Sequence, residues 1–156
     1  MTIINYDQRL VKSKNPYPKG PNDWKRFFSF NTDAKVIGIQ YIVTALFFLL
    51  LGGLLGMLVR GELITPPSDL FDPTVYNGLY TMHGTVMLFL FLFPVLSGLT
   101  NLLVPPMIGA PDMAFPKLNA LAFWLVPVFS IVLISSFFVP GGPASAGWWS
   151  YPPVSI

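Results

Sequence analysis

Three long apolar runs constrain the fold of this chain more than any other feature of its sequence. They cover about residues 36–60, 76–104 and 118–139, and as helices each could cross the ~30 Å hydrocarbon layer of a bilayer. Pro94 and Pro127 lie inside the second and third runs, where membrane helices tolerate the kinks that proline causes. The sequence therefore predicts an all-α membrane protein with three transmembrane helices.

The composition excludes a soluble globular protein. Only 10% of the 156 residues are charged, against about 25% in typical soluble domains, so the chain could not cover its apolar surface in water. It contains no cysteine, which excludes disulfides and thiolate metal ligands within the chain. The segment before Asp33 is polar and rich in proline, so we expect no cleavable signal peptide.

Basic residues are concentrated near the amino terminus. Residues 1–35 hold seven of the nine lysines and arginines, which predicts a cytoplasmic polar segment over residues 1–34 and a transmembrane part over residues 35–156. The linker after the first run is acidic, whereas the next linker contains Lys117. These charges predict that the Lys117 linker is cytoplasmic and that the first linker and the carboxyl-terminal tail lie outside.

Three helices leave little room for a complete protein interior. We therefore expect a partial chain, or one that assembles with other helices into a larger helical bundle. Gly52 and Gly56 have the G-x-x-x-G spacing that permits close helix contact in membranes. Ordinary use of glycine in a membrane helix explains the same spacing equally well.

The second apolar run contains His83, the only histidine of the chain. Its depth, about 10 Å into the run, favours a neutral imidazole, which has the lone pair that a metal ligand needs. Asn101 follows 18 residues later, which is about five α-helical turns and predicts a shared helix face. From the residues alone, His83 is either a metal or haem ligand or a hydrogen-bonded interhelical histidine.

Three charged residues near the ends of the runs have ordinary interpretations. Arg60 closes the first run and could extend its guanidinium to the membrane surface. Glu62 is either a surface charge or an oxygen ligand for a hard cation. Asp112 lies in a proline-rich turn between two apolar runs, where a loop aspartate is common.

Taken together, three segments resemble subunit I of the haem–copper oxidases, the cytochrome c oxidase family. They are "TMHGTVMLF", "TNLLVPPMIGAPDMAFPKLNALAFW" and "GWWSYPP", in the order and at the spacing of that family. The resemblance covers about residues 32–153, whereas residues 1–30 match no part of the pattern. It implies the first three of twelve membrane helices, with the high-spin haem and the copper centre on later helices, so that this chain alone would not reduce oxygen.

The resemblance implies a set of residues around a low-spin haem, expected to be haem a. His83 matches an axial ligand of the haem iron, and Arg60 matches an arginine near the haem formyl group. Tyr76 and Trp148 match residues near the haem propionates. Glu62 matches an acidic residue of an outer calcium or sodium site in some members.

The resemblance also implies a proton uptake path on the cytoplasmic side. Asp112, Asn101, Asn119 and Tyr41 match residues that line this path. Ala34 departs from the pattern, because related sequences often have a histidine there.

The function implied is that of part of a terminal oxidase that moves electrons from cytochrome c to oxygen and pumps protons. The expected partners are the remainder of subunit I, other oxidase subunits, cytochrome c and the lipid of a bacterial inner or other energy-transducing membrane, with no nucleic acid. One alternative is a quinol oxidase of the same family. Another is a non-catalytic three-helix protein that binds haem.

Overall fold

The computed structural model describes residues 23–64, 70–147 and 149–152 of the chain. Within these residues the chain is helical and contains no strand. Its elements, in order, are a 3-10 turn (Asp23–Phe28), α1 (Ala34–Glu62), α2 (Pro73–Thr85), a π-helical segment (Val86–Leu92), α3 (Phe93–Met107), α4 (Pro116–Ser135) and a second 3-10 turn (Ser136–Phe138).

The described residues form three helical spans that are long and apolar enough to cross a membrane, Ala34–Glu62, Pro73–Met107 and Pro116–Phe138. They confirm the predicted fold class. Each span begins two or three residues before its apolar run. At the first two starts, an aspartate side chain accepts a hydrogen bond from a free amide of the first helical turn, which is how an N-cap stabilises a helix end.

Helix α1 packs along the whole second span, and two glycines set their closest approach. A Cβ atom on Gly38 would lie 2.9 Å from the carbonyl oxygen of Gly98, and a Cβ on Gly98 would lie 2.9 Å from the carbonyl oxygen of Gly38. Neither backbone could give way to a larger side chain without moving a helix. This crossing holds α1 against α3, because dispersion contacts between close backbones are the main attraction between helices in lipid.

The π-helical segment keeps one stripe of the second span buried. The buried residues Met82, Val86, Leu90, Pro94 and Gly98 are spaced by four, whereas an uninterrupted α-helix would turn such a stripe by about 40° at each step. A π-helical turn contains more residues than an α-helical turn, so the stripe stays in line.

Pro94 gives a physical reason for the position of this segment. Proline has no amide hydrogen, and its ring would collide with the carbonyl group four residues earlier in a regular helix. Here the helix is widened directly before Pro94, and the amide of Phe93 donates to the carbonyl oxygen of Leu88, five residues back. The proline that predicted a kink thus begins a new α-helical segment, α3.

The segment after the third span folds back onto the first turns of α2. The amide of Gly147 donates to Thr81 Oγ1 at 2.9 Å, and Pro143 packs on Gly78, where a Cβ atom would lie 3.0 Å from the proline Cγ. The carboxyl-terminal part of the described chain therefore lies beside α2 and contacts residues that precede His83 by two and five positions.

Candidate functional site

The side chain of His83 lies in the contact between α2 and α1. Its Nδ1 is 2.8 Å from the carbonyl oxygen of Gly52. A carbonyl oxygen can only accept a hydrogen bond, so Nδ1 holds the proton. In a neutral imidazole the lone pair then belongs to Nε2, and the orienting bond from the other nitrogen is the arrangement seen in metal-ligating histidines.

One glycine of α1, Gly56, makes room for this imidazole, and a second, Gly52, makes room for the neighbouring side chain of Met87. A Cβ atom on Gly56 would lie 2.9 Å from His83 Cε1 and 3.1 Å from Nδ1, and a Cβ on Gly52 would lie 2.7 Å from Met87 Sδ. The neighbouring Gly53 has nothing within 4 Å of the same position. The G-x-x-x-G spacing therefore does serve close helix contact, which confirms that interpretation over ordinary glycine use.

Arg60 continues the stripe of α1 that contains these glycines. Gly52, Gly56 and Arg60 are spaced by four along α1, so they lie on neighbouring positions of one helix side. Arg60 is exposed and follows Gly56 by about one turn. Arg60 therefore lies on the side of α1 that faces His83.

Of the two residues predicted near the haem propionates, the structure describes only Tyr76. Tyr76 is half-buried in the first turn of α2. It precedes His83 by seven residues, about two helical turns, so the two residues share a side of α2. Trp148 lies outside the described residues.

Glu62 is buried, with 4% of its surface exposed, so the interpretation as a plain surface charge is wrong. Its Oε2 accepts a hydrogen bond of 3.0 Å from the amide of Phe71, which ties the end of α1 to the residues before α2. Among the described residues, no three histidine, cysteine, aspartate or glutamate side chains gather into a possible metal site. Asp69, in the same linker, lies outside those residues, and the cation role of Glu62 stays a prediction.

Asp112 caps the start of α1 from a distant part of the sequence. Its Oδ1 accepts a hydrogen bond of 3.1 Å from the amide of Ala34, the first residue of α1, and one of 2.7 Å from the amide of Met113. Asp33 caps the next free amide, that of Lys35. A carboxylate is favoured at a helix amino terminus because the helix dipole is positive there, so Asp112 is more than a turn residue of its own loop.

Asn101 and Asn119 are joined side chain to side chain. Asn119 Nδ2 donates to Asn101 Oδ1, and Asn101 Nδ2 donates to the carbonyl oxygen of Ser97 at 2.9 Å. Asn101 is only 3% exposed, so its amide needs these partners. Tyr41 is buried beside the same region and packs edge-on against Phe123, with ring centroids 5.1 Å apart.

The prediction that His83 and Asn101 share one helix face is wrong. It assumed 100° per residue throughout, whereas the π-helical segment lies between the two positions. In the structure, His83 contacts α1 and Asn101 bonds to α4. The haem-ligand candidate and the amide pair thus belong to different helix interfaces.

Two polar groups without surface access were missed in the sequence, the side chain of Gln40 and the indole nitrogen of the partly buried Trp124. Gln40 is 4% exposed, and its Nε2 donates to the carbonyl oxygens of Phe27 at 2.8 Å and Ser29 at 3.4 Å. Within the described residues, Gln40 Oε1 and Trp124 Nε1 have no hydrogen-bond partner. A glutamine inside the apolar run "VIGIQYIV" was a signal that could have identified the first of them.

Comparison with known proteins gives one consistent family. Residues 36–155 match the family model described as cytochrome c and quinol oxidase polypeptide I. Cytochrome c oxidase subunit 1 of Thermostichus vulcanus is 55% identical over 141 residues, which is 88% of this chain and 25% of that protein. The same subunit of a Synechocystis strain is 52% identical over 133 residues, 85% of this chain and 24% of that protein.

A more distant bacterial relative shows the same pattern. Cytochrome c oxidase subunit 1 of Corynebacterium efficiens is 44% identical over 137 residues, 88% of this chain and 23% of that protein. The chain thus spans about a quarter of the length of the curated relatives that it matches.

Proposed function

The chain belongs to the cytochrome c and quinol oxidase polypeptide I family, and we propose that it acts as part of the catalytic subunit of a terminal respiratory oxidase. In that role it binds a low-spin haem and lines a proton uptake path. The observation that carries the proposal is the hydrogen bond from His83 Nδ1 to the carbonyl oxygen of Gly52, because it leaves Nε2 as the ligating nitrogen.

The residues of α1 and α2 fit one side of a haem site. His83 would ligate the haem iron through Nε2, since the backbone of Gly52 fixes its tautomer and Gly56 leaves space for the ring. When bound, a low-spin haem with two imidazole ligands transfers electrons and has no open position for oxygen. The other ligand of that iron, the high-spin haem and the copper centre would belong to the remainder of subunit I. The low-spin haem is haem a in this proposal.

Three further residues act on the haem without ligating its iron. Arg60 would supply a positive charge near the haem formyl group and thereby tune the potential of the haem. Tyr76 and Trp148 would donate hydrogen bonds to the propionates. Two observations support these roles. Arg60 lies on the same side of α1 as Gly52 and Gly56, and Tyr76 lies on the same side of α2 as His83.

The opposite end of the helices provides the proton uptake path. Asp112 collects protons from water, because a carboxylate can be protonated and deprotonated. The neutral amides of Asn101 and Asn119, with the phenol of Tyr41, order water without trapping a proton. The cost of buried polar groups in a membrane supports a functional role for this cluster.

The remaining elements of the proposal concern orientation and partners. The amino terminus and the Asp112 linker face the cytoplasm of a bacterium, or the equivalent side of another energy-transducing membrane, which the concentration of basic residues supports. The relatives named cytochrome c oxidase favour cytochrome c over quinol as the electron donor. Other oxidase subunits complete the complex, and Glu62 is a ligand of an outer calcium or sodium ion.

The proposal is tested by replacing His83 in the complete oxidase. His83→Ala should remove the low-spin haem absorbance and the oxidase activity, since no other histidine of this chain can replace the ligand. The matched control is Thr85→Ala, two residues later, whose hydroxyl donates to the backbone of its own helix. An assembled His83→Ala enzyme with a normal six-coordinate low-spin spectrum would contradict the assignment.

The electron donor is tested separately with the unaltered enzyme. We expect it to oxidise reduced cytochrome c in steady-state assays with purified oxidase in vesicles. Oxidation of a quinol in place of cytochrome c would favour the quinol oxidase alternative and would leave the haem assignment intact.

A further inference from the structure

The residues before α1 present large aromatic side chains on the surface. Trp24, Phe28 and Phe30 are 55%, 75% and 60% exposed, although water disfavours such exposure. The rings of Trp24 and Phe28 meet edge to face, with centroids 5.7 Å apart, so they form one patch. We call residues 24–30 the interfacial segment.

Gln40 fixes the depth of the interfacial segment along α1. Its Nε2 donates to the carbonyl oxygens of Phe27 and Ser29. Gln40 lies four residues after Val36, where the apolar run begins, which is about 6 Å into the run. The aromatic patch therefore lies beside the first apolar turns of α1, at the depth where amphipathic segments enter a bilayer, about 5–10 Å below the headgroups.

The charge in and around the interfacial segment favours binding to an anionic surface. Lys25 is exposed between the aromatic residues, and Arg26 lies 3.6 Å from Asp33. Residues 1–35 contain seven basic and three acidic residues, a net charge of 7 − 3 = +4. Tryptophan and basic residues together are typical of protein segments at the polar edge of a membrane, and bases favour anionic lipids.

We propose that the interfacial segment anchors the amino-terminal end of this chain on anionic phospholipid headgroups. Trp24 and Phe28 enter the boundary between headgroups and acyl chains, and Lys25 lies at the phosphates. Gln40 is the positioning residue, because its amide holds the segment against α1. The proposal concerns residues outside the haem and proton-path sites and does not depend on either.

The test uses a nitroxide label at Ser29→Cys, since the chain has no cysteine of its own and this change leaves every aromatic residue in place. The complete oxidase is reconstituted in vesicles of phosphatidylcholine with phosphatidylglycerol, with the unsubstituted enzyme as the blank. Collisions of the label with oxygen and with a water-soluble nickel chelate are measured by power saturation. We expect oxygen to dominate, because oxygen concentrates in lipid.

Two outcomes would overturn the anchor. Dominant collisions with the nickel chelate would put the segment in water, and shielding from both reagents would mean that another protein surface covers it. Removing the patch with Trp24→Ala and Phe28→Ala, in the Ser29→Cys background, should move the label toward the chelate. An unchanged label would contradict the role of the aromatic residues.

The choice of anionic lipid is tested by charge. Lys25→Gln should lower the ratio of lipid-bound to detached segment roughly fivefold in vesicles with phosphatidylglycerol, and should have little effect in pure phosphatidylcholine. Lys117→Gln is the matched control, because Lys117 is also exposed but lies in the first turn of α4, outside the interfacial segment. Equal effects of Lys25→Gln in both lipids would overturn the selection of anionic headgroups.

Discussion

The two ends of the helix assembly treat buried polar groups in opposite ways. At the His83 end, one imidazole bonds to a backbone carbonyl through Nδ1, and its other nitrogen keeps a lone pair. At the Asp112 end, the Asp112 carboxylate accepts from backbone amides at the start of α1 and in its own loop. Nearby, the side-chain amides of Asn101 and Asn119 join α3 to α4, and Asn101 also donates to a backbone carbonyl of α3. The first arrangement leaves one nitrogen free to bind a ligand. In the second, most of the hydrogen-bonding groups already have partners within the protein.

The difference has consequences for what each end tolerates. Glycines and a rigid ring form the His83 end, so shape decides whether the ligand position exists. Hydrogen bonds form the Asp112 end, so loss of one partner leaves another polar group unpaired in a low-dielectric region. Mutations at the His83 end should therefore act by steric clash. Mutations at the Asp112 end should act by removing a hydrogen-bond partner or a charge.

Among the variants that compare the two ends, the largest effect is expected from Gly56→Ala, which tests the steric half of the comparison. The added Cβ would lie 2.9 Å from His83 Cε1, so the ring must move and its bond to Gly52 is lost. We expect the affinity for the low-spin haem to fall roughly 10- to 100-fold, the range for metal affinity when groups that orient a ligand are removed. The haem content of the purified oxidase measures it.

Gly53→Ala is the matched control, because a Cβ there has nothing within 4 Å. Both variants add one methyl group to α1, three residues apart. Equal haem content in the two would mean that the glycine stripe does not position His83.

The next effect is expected from Asp112, whose charge and capping role can be separated. Asp112→Asn keeps an oxygen that can accept from the amides of Ala34 and Met113, but removes the proton-binding carboxylate. We expect turnover and proton pumping to fall about tenfold or more, with an unchanged haem spectrum. Oxygen uptake and external acidification of vesicles measure both.

Asp112→Ala removes the cap as well, and should cost about 1 kcal/mol of further stability. Asp33→Asn is the control, since it also removes a carboxylate and keeps a cap at the start of α1. If Asp112→Asn pumped at the normal rate, capping would be the whole role of Asp112.

A smaller effect is expected from Asn101→Leu, which breaks the amide pair. Asn119 Nδ2 would lose its acceptor, and an unpaired buried donor costs about 1–3 kcal/mol. Thermal unfolding of the oxidase should shift downward, and proton uptake should slow while haem content stays normal. Unchanged stability would show that water or another group replaces the partner at no cost.

The smallest effect is expected from Arg60→Met. The exposed guanidinium is one turn beyond Gly56 and does not hold the imidazole, so the enzyme should assemble with its haem. The visible band and the potential of the low-spin haem should shift, because the proposed site loses a positive charge beside the haem. An unchanged spectrum would favour the other interpretation, in which Arg60 only extends its guanidinium to the membrane surface.

Hydropathy in the sequence was sufficient for the number and type of the spans. Runs of apolar residues in lipid must form helices, because every backbone amide and carbonyl needs a partner within the segment. The starts of the helices were less accessible, since caps such as Asp72 depend on single hydrogen bonds rather than on the apolar pattern.

The candidate ligand could also be selected from the sequence, because His83 is the only histidine and lies in an apolar run. Its tautomer could not, since that depends on a carbonyl group of α1, 31 residues away. The G-x-x-x-G spacing was visible, but which residue filled the space beside Gly56 was not.

What the sequence determined by itself is therefore an all-helical membrane protein with one imidazole among its apolar residues, because lipid restricts both backbone and charge. The tertiary structure decided which side chains meet. The π-helical segment before Pro94 changed the phase of the second span, so His83 contacts α1 while Asn101 bonds to α4. Asp112 reaches the start of α1 across 78 residues. Such contacts depend on packing between distant segments, which the local periodicity of a sequence does not reveal.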